Sequence, residues 1–207
     1  LFYRSSLQFA FMPEVESIAN FAFFQSSLTA VCFLKVKSVG DDGFQYCKEL
    51  IQVFLPLCEE LGRQCFDGCE NIKILGLSKA KWIGSWQFSY CSSLTDLIVP
   101  LVEEIGDDCL CGCGSLESID SKLDANQFRC SGWCKEDKRC PICRGQLQNC
   151  LKKGNDLQNR LMIQKKVEEQ KLNLLKDAGI NPIPALKTED TKINVQIQKK
   201  TKDEQIE

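Results

Sequence analysis

The stretch that decides the fold is residues 36–53, which reads VKSVGDDGFQYCKELIQV. It recurs at 58–75 as CEELGRQCFDGCENIKIL, at 80–97 as AKWIGSWQFSYCSSLTDL and at 102–119 as VEEIGDDCLCGCGSLESI. Seven columns keep their chemical type, namely two apolar residues, a Gly, an aromatic residue or Leu, a Cys and two further apolar residues. A period of 22 residues that persists through four units predicts a solenoid in which each unit forms one coil.

The columns have separate physical roles within a coil. Leu50 and Val53 are inward positions of a short extended segment, which we expect to stack on its equivalent in the next coil as a parallel ladder. Gly40 and its equivalents follow a second apolar run, where the chain turns and a residue tolerant of positive φ is useful. Phe44 and Cys47 lie three residues apart, as in a short helical turn. Prolines suit the bend between the strands of three units: Pro13, Pro56 and Pro100.

The limits of the repeat define the predicted organisation. An earlier unit, shorter by one residue, carries the columns at Val15, Ile18, Phe23, Leu28 and Val31. Phe2 precedes Phe23 by 21 residues, so the chain begins inside a half repeat and we expect it to be a fragment of a longer protein. After Asp120 the register fails. The predicted fold is an α/β repeat, made of a solenoid (1–120), a Cys-rich module (121–150), a helix (151–178) and a disordered tail (179–207).

The cysteine usage narrows the possible chemistry, because the chain has 14 Cys and no His. The absence of His excludes Ser-His-Asp and Cys-His catalysis and mixed Cys/His zinc sites. With no nucleophile and base pair, we do not expect an enzyme. We interpret the Cys column of the repeat as small buried hydrophobes, with disulfides between successive coils as the alternative: Cys47, Cys69, Cys91 and Cys113.

Composition argues against two further kinds of partner. No run of 18 or more apolar residues is present, so the sequence predicts no membrane span. The formal net charge is only -2, and no dense Lys/Arg run is interleaved with aromatic residues, so we do not expect nucleic-acid binding.

The repeat unit resembles the BspA-like leucine-rich repeats, as residues 102–119 illustrate with Gly106 and Cys113 in their columns. This resemblance implies a curved solenoid that recognises a protein ligand, here unidentified. The partner would be chosen by solvent-facing strand positions, which vary in chemistry while the inward columns do not, although a merely solvated face would vary in the same way. The outward candidates are Ile51, Gln52, Lys73, Thr95, Asp96, Glu117 and Ser118.

A second group of cysteines follows the repeats: Cys130, Cys134, Cys140 and Cys143. The last two form a CxxC knuckle, which lets two sulfurs reach one tetrahedral Zn²⁺ at about 2.3 Å each. Four thiolates would make a closed, structural site that organises a loop and does not catalyse. Free thiols and disulfides remain the alternatives.

The string Cys140-Pro-Ile-Cys143-Arg144 also resembles the last ligand pair of RING fingers, and Trp133 resembles the RING Trp that helps to contact ubiquitin-conjugating enzymes. The resemblance covers a short stretch, without the first ligand pairs and without the His that RING fingers usually contain. The alternative function is therefore a ubiquitin-ligase adaptor, in which the repeats bind a substrate and the cysteine cluster recruits the conjugating enzyme.

Strong helix formers dominate from Gly145 to Asp177. Gln164 and Glu168 interrupt the heptad seam, so a solvated amphipathic helix is favoured over a coiled coil. Gly179 and the prolines that follow end the helix, and the polar residues after it are typical of disorder.

Overall fold

The computed structural model describes residues 2–132, 134 and 139–177. The chain divides into one unit from Leu1 to Leu174 and a second from Leu175 to Glu207, of which residues 175–177 are described. The predicted disordered tail lies outside the described residues. The elements are β1 (Phe9–Phe11), β2 (Ser17–Ile18), β3 (Ala30–Cys32), β4 (Ser38–Val39), β5 (Gln52–Phe54), β6 (Glu60–Leu61), β7 (Ile74–Gly76), β8 (Trp82–Ile83), β9 (Asp96–Ile98), β10 (Glu104–Ile105), β11 (Ser118–Asp120), a 3₁₀ turn (Ala125–Gln127), α1 (Leu147–Asn155) and α2 (Leu157–Asp177).

The odd-numbered strands form the predicted parallel ladder. They make two three-stranded sheets, β1-β3-β5 and β7-β9-β11, and β5 lies beside β7. Ala30 pairs with Gln52 and Ile74 pairs with Asp96, which is a register of 22 residues. Phe9 pairs with Ala30 at a register of 21, because the first unit is one residue shorter. The even-numbered strands form a second parallel ladder, in the orders β2-β4-β6 and β8-β10. The predicted solenoid is confirmed.

A column of stacked aromatic rings runs through the core. Successive ring centroids lie 5.3, 5.2, 5.4 and 6.3 Å apart from Phe2 to Phe88, and each pair is stacked. Leu110 continues the column in the last coil and is fully buried. Because each ring packs on the coils above and below it, the column joins neighbouring coils as well as filling them. Its aromatic members are Phe2, Phe23, Phe44, Phe66 and Phe88.

The cysteines of the repeat column are fully buried, which confirms the packing interpretation. Each thiol also donates a hydrogen bond to a carbonyl of the preceding coil. Cys69 Sγ contacts the Phe44 oxygen at 3.1 Å, and Cys91 Sγ contacts the Phe66 oxygen at 3.1 Å. Burial raises the pKa of Cys69 well above its usual value, which keeps the thiol protonated and able to donate.

Three of the four glycines in the column, Gly40, Gly62 and Gly106, are required by the close approach of neighbouring coils, whereas a Cβ on Gly84 would meet the Trp82 ring of its own coil at 2.8 Å. A Cβ on Gly62 would lie 2.4 Å from the Asp41 nitrogen, and a Cβ on Gly106 would lie 2.3 Å from the Ser85 nitrogen. The expectation of positive φ was therefore wrong for this column. Residues with positive φ lie instead two and six positions after each of these glycines: Asp42, Tyr46, Gln64, Gly68, Trp86, Tyr90, Asp108 and Gly112. Because such residues interrupt a helix, the predicted helical turn consists of separate hydrogen-bonded turns.

Helix α1 covers the end of the ladder at β11. Its buried side chains join the main core: Leu147, Cys150 and Leu151. Gly154 allows this approach, since a Cβ there would lie 1.9 Å from the Ile119 oxygen. Asp156, in extended conformation, separates α1 from α2, and its Oδ1 accepts a 3.0 Å hydrogen bond from the Asn159 N–H at the start of α2.

Candidate functional site

The outward face of the odd-numbered strands consists of the first and third residue of each strand, which flank an inward central residue. We call this surface the ladder face. Its first column is Phe9, Ala30, Gln52, Ile74, Asp96 and Ser118, and its second column is Phe11, Cys32, Phe54, Gly76, Ile98 and Asp120.

Helix α2 packs on the ladder face. Ile163 is 2% exposed and forms an apolar cluster with Ile74 and Ile98, and Val167 packs against the same cluster. The solvated helix expected from the sequence therefore has one buried side. Leu174 is also buried, one turn beyond Lys171.

Polar contacts flank this apolar cluster. Asn159 Nδ2 donates to Ser118 Oγ at 3.2 Å, and Arg160 Nε donates to Asp120 Oδ2 at 3.1 Å. Further along the helix, Lys171 Nζ lies 5.4 Å from the centre of the Phe54 ring, in a cation–π arrangement. Burial raises the pKa of Asp120, and the Arg160 guanidinium partly offsets this effect.

The predicted outward residues divide into three groups. Asp96 and Ser118 are both buried, and Ser118 contacts Asn159 of α2, so the expectation that they face solvent was wrong. Gln52 and Thr95 are half-buried, whereas the remaining three are exposed: Ile51, Lys73 and Glu117. Sequence reasoning did not include Ile74 and Ile98 on the ladder face, although alternation about the inward column at Leu75 and Leu97 would have placed them there.

The cysteine cluster gathers five sulfurs. The sulfurs of Cys111, Cys130, Cys134 and Cys140 all lie within 4.8 Å of one another. Cys143 Sγ lies 3.3 Å from Cys134 Sγ and 3.4 Å from Cys130 Sγ. The structure thus brings together the four cysteines predicted from the sequence and adds Cys111, from the last coil of the solenoid.

Sequence reasoning missed Cys111 because it lies between two cysteines of the repeat. Cys109 and Cys113 occupy the columns of Cys65 and Cys69, and all four are fully buried. Cys111 belongs to a column that is polar in the earlier coils, and this departure was the available signal: Gln45, Asp67 and Ser89.

The cluster has the chemistry of a zinc–thiolate site. Bonds of about 2.3 Å in a tetrahedron place neighbouring sulfurs about 3.8 Å apart. Cys130 Sγ lies 2.9 Å from Cys134 Sγ and 4.0 Å from Cys140 Sγ, on either side of this value. Burial raises the pKa of Cys111 to about 12 and that of Cys143 to about 11. Burial also acts to raise the pKa of Cys130, but hydrogen bonds to its sulfur, first from Cys134, hold it below its usual value. The residues present could therefore hold a metal ion.

A sequence model of the BspA type leucine rich repeat region matches residues 16–131 in 6 copies, more than half of the chain. The chain belongs to the BspA-type leucine-rich-repeat family. No curated protein matches it. No helix among the described residues is long and apolar enough to cross a membrane.

Three solved leucine-rich-repeat structures are similar to this BspA-type chain. The leucine rich repeat protein of T. pallidum is 26% identical, with a TM-score of 0.50, and the match covers 54% of this chain and 57% of that one. A leucine rich cell surface protein from Faecalibacterium prausnitzii A2-165 is 22% identical, with a TM-score of 0.47 and coverage of 59% and 41%. A leucine-rich repeat protein from Bacteroides ovatus ATCC 8483 is 20% identical, with a TM-score of 0.48 and coverage of 61% and 43%. The chain spans about half the length of these proteins.

The ubiquitin-ligase alternative gains no support. Trp133, predicted to contact a conjugating enzyme, lies outside the described residues. A full RING holds two zinc ions, whereas residues 2–132, 134 and 139–177 contain a single group of cysteines that could hold a metal ion. One of its members, Cys111, belongs to the BspA-type repeat.

Proposed function

We propose that this BspA-type chain is a non-enzymatic protein-interaction scaffold, and that its partner contacts a row of side chains just before the odd-numbered strands. This row, called the entry row, supplies one residue per coil: Ile51, Lys73, Thr95 and Glu117. The proposal rests on the accessibility of the entry row. Ile51, Lys73 and Glu117 are exposed to solvent, although α2 lies on the neighbouring ladder face.

The chemistry of the entry row supports partner selection. Adjacent strands are separated by about 4.8 Å, so apolar, basic, polar and acidic groups follow one another at a regular short spacing. Thr95 Oγ1 donates to the Lys73 oxygen at 2.9 Å, and Lys153 Nζ lies 3.8 Å from Glu117 Oε2. Gln52, the half-buried residue after Ile51, would contribute at the margin of the contact.

A photo-crosslinking amino acid at position 73 tests this proposal in extracts of the native organism. We expect a discrete covalent adduct from position 73 and none from Lys79, which is exposed after β7 and outside the row. The change Ile51→Glu should abolish the adduct without lowering the melting temperature. Equal adducts from both positions, or none from either, would contradict a partner at the entry row.

We further propose that the cysteine cluster binds one structural Zn²⁺, which fastens the segment after the repeats to the last coil. The sulfur-only donor set supports zinc over magnesium or calcium, which prefer oxygen ligands. Cys130, Cys134, Cys140 and Cys143 remain the ligands predicted from the sequence, and Cys111 competes for one of the four places because its sulfur lies inside the cluster. Zinc would hold these sulfurs as thiolates and supply no reaction.

Metal analysis of the purified chain tests this second proposal. We expect one zinc ion per chain, its loss in Cys140→Ser and its retention in Cys150→Ser, because Cys150 Sγ contacts the Leu116 oxygen and lies outside the cluster. Chelation should lower the melting temperature by several degrees, since a ligand bound only by the folded state stabilises it. Less than one zinc per chain, or equal loss in both variants, would disprove the site.

A further inference from the structure

The contact between α2 and the ladder face is separate from the core of the solenoid. Ile163, Ile74 and Ile98 form a cluster of their own, while the stacked rings and the inward columns form the main core. If α2 left the ladder face, it would uncover this small cluster and the groups that flank it, at Ser118, Asp120 and Phe54, while the main core would stay covered. Release of the helix is therefore compatible with an intact solenoid.

The ladder face also specifies the direction and chemistry of a bound helix. At one end, Asp120 lies 8% exposed and accepts from Arg160, and Ser118 accepts from Asn159. At the other end, the Phe54 ring lies beneath a lysine ammonium. A helix that carries Asn and Arg at successive positions, then apolar residues three and seven positions after the Arg, then Lys eleven positions after it, satisfies all of these groups.

Helix α2 has further apolar side chains that the ladder face does not use. Leu161 is 45% exposed, Met162 is 52% exposed and Leu172 is 36% exposed. Recognition by the ladder face thus depends on one side of the helix, and substitutions on the other side provide matched controls.

We propose that the ladder face is a receptor for an amphipathic, basic helix of a partner protein, and that α2 is its built-in competitor. The proposal rests on the scaffold function and names the chemistry of one partner. The partner's helix replaces Arg160, Ile163, Val167 and Lys171 by equivalent groups, and α2 is released at the Asp156 turn. Because α2 is tethered, its effective concentration at the face is in the millimolar range or above. A partner must therefore bind more tightly than an untethered α2 peptide would.

A labelled synthetic peptide with the sequence of residues 156–174 tests the proposal in fluorescence anisotropy. The full chain carrying Ile163→Asp should bind this peptide, because its own helix no longer occupies the face. The unaltered chain should bind it at least about tenfold more weakly, owing to the tethered competitor. The full chain carrying Leu161→Asp should behave like the unaltered chain, since Leu161 faces away from the cluster.

Peptide variants provide the specificity control. The peptide carrying Ile163→Asp should not bind, whereas the peptide carrying Leu161→Asp should bind normally. If Ile163→Asp prevents folding of the chain, the double change Arg160→Gln, Lys171→Gln weakens the polar contacts and leaves the apolar cluster in place. No binding to a folded variant, or equal binding to all chains, would overturn the proposal. Either result would leave crosslinking at position 73 unaffected, so the entry-row proposal is tested separately.

Discussion

Arg160 Nε donates to Asp120 Oδ2 across 3.1 Å and joins the first turn of α2 to the last strand of the ladder. Asp120 is almost completely buried in this pair, whereas the Arg160 side chain is 40% exposed. The pair therefore anchors a helix to a surface that family resemblance alone would assign to an external partner.

Removal of the arginine should loosen α2 without unfolding the solenoid. We expect Arg160→Gln to weaken helix docking by about 1 kcal/mol, since solvent screens part of the interaction and the buried carboxylate loses its partner. Hydrogen exchange of the α2 amides measures this change. Lys165→Gln, on an exposed position of the same helix, is the control, and equal exchange in both variants would contradict the anchoring role.

The aromatic column should dominate the stability of the solenoid. Phe66 is fully buried between Phe44 and Phe88, so Phe66→Ala should lower the free energy of unfolding by about 3–5 kcal/mol. Phe66→Leu should cost about 1.5 kcal/mol or less, because Leu110 already fills this column in the last coil. Urea denaturation measures both. Leu57→Ala, at a position that is 41% exposed, should cost less than either.

Gly62 should tolerate no side chain. Gly62→Ala places a Cβ 2.4 Å from a backbone nitrogen that cannot move aside, and we expect a loss of about 2 kcal/mol or more. Gly76→Ala is the matched control, because its Cβ would meet only the Ile98 side chain at 3.8 Å. Thermal unfolding of both variants should separate them by several degrees. Similar melting temperatures would show that the coils can move apart at no cost.

The free energy of unfolding should fall as the pH rises through the range in which Asp67 ionises. Asp67 is buried, and burial raises its pKa above 3.8, although a hydrogen bond from Gln45 acts in the opposite direction. The folded chain therefore binds this proton more tightly than the unfolded chain does. Its stability decreases between pH 3.8 and the raised pKa and stays lower above it. Asp67→Asn should remove this contribution and be at least as stable as the unaltered chain at pH 7. Urea denaturation across this range tests the sign, and a parallel pH dependence in both chains would refute it.

Cys111 and Cys143, which compete for the fourth ligand position, should contribute unequally to zinc affinity. Cys111 is 1% exposed on the rigid last coil, whereas Cys143 is exposed. Four thiolates complete a tetrahedron. We expect Cys111→Ser to weaken zinc binding at least about tenfold more than Cys143→Ser, a factor equivalent to about 1.4 kcal/mol. Competition with a chromophoric chelator measures both affinities. The reverse order would return the four ligands to those predicted from the sequence.

The solenoid could be predicted from the sequence, because each inward column repeats at the coil period and each coil buries the same kinds of side chain as its neighbours. The Phe and Cys columns and the shortened first coil follow from this periodicity. The structural reason for the glycine column could not be predicted from this periodicity, because the approach of one backbone to another depends on the distance between coils.

Two features of the sites needed the tertiary structure, namely the place of Cys111 in the cysteine cluster and the docking of α2, because each joins residues that are distant in the chain. Cys111 meets Cys140 only when the segment after the repeats folds back on the last coil. Ile163 covers Ile74 only because the chain turns onto the ladder face after α1. Local periodicity indicates which side of a helix or strand is apolar. The surface that covers this apolar side depends on the path of the chain through the fold.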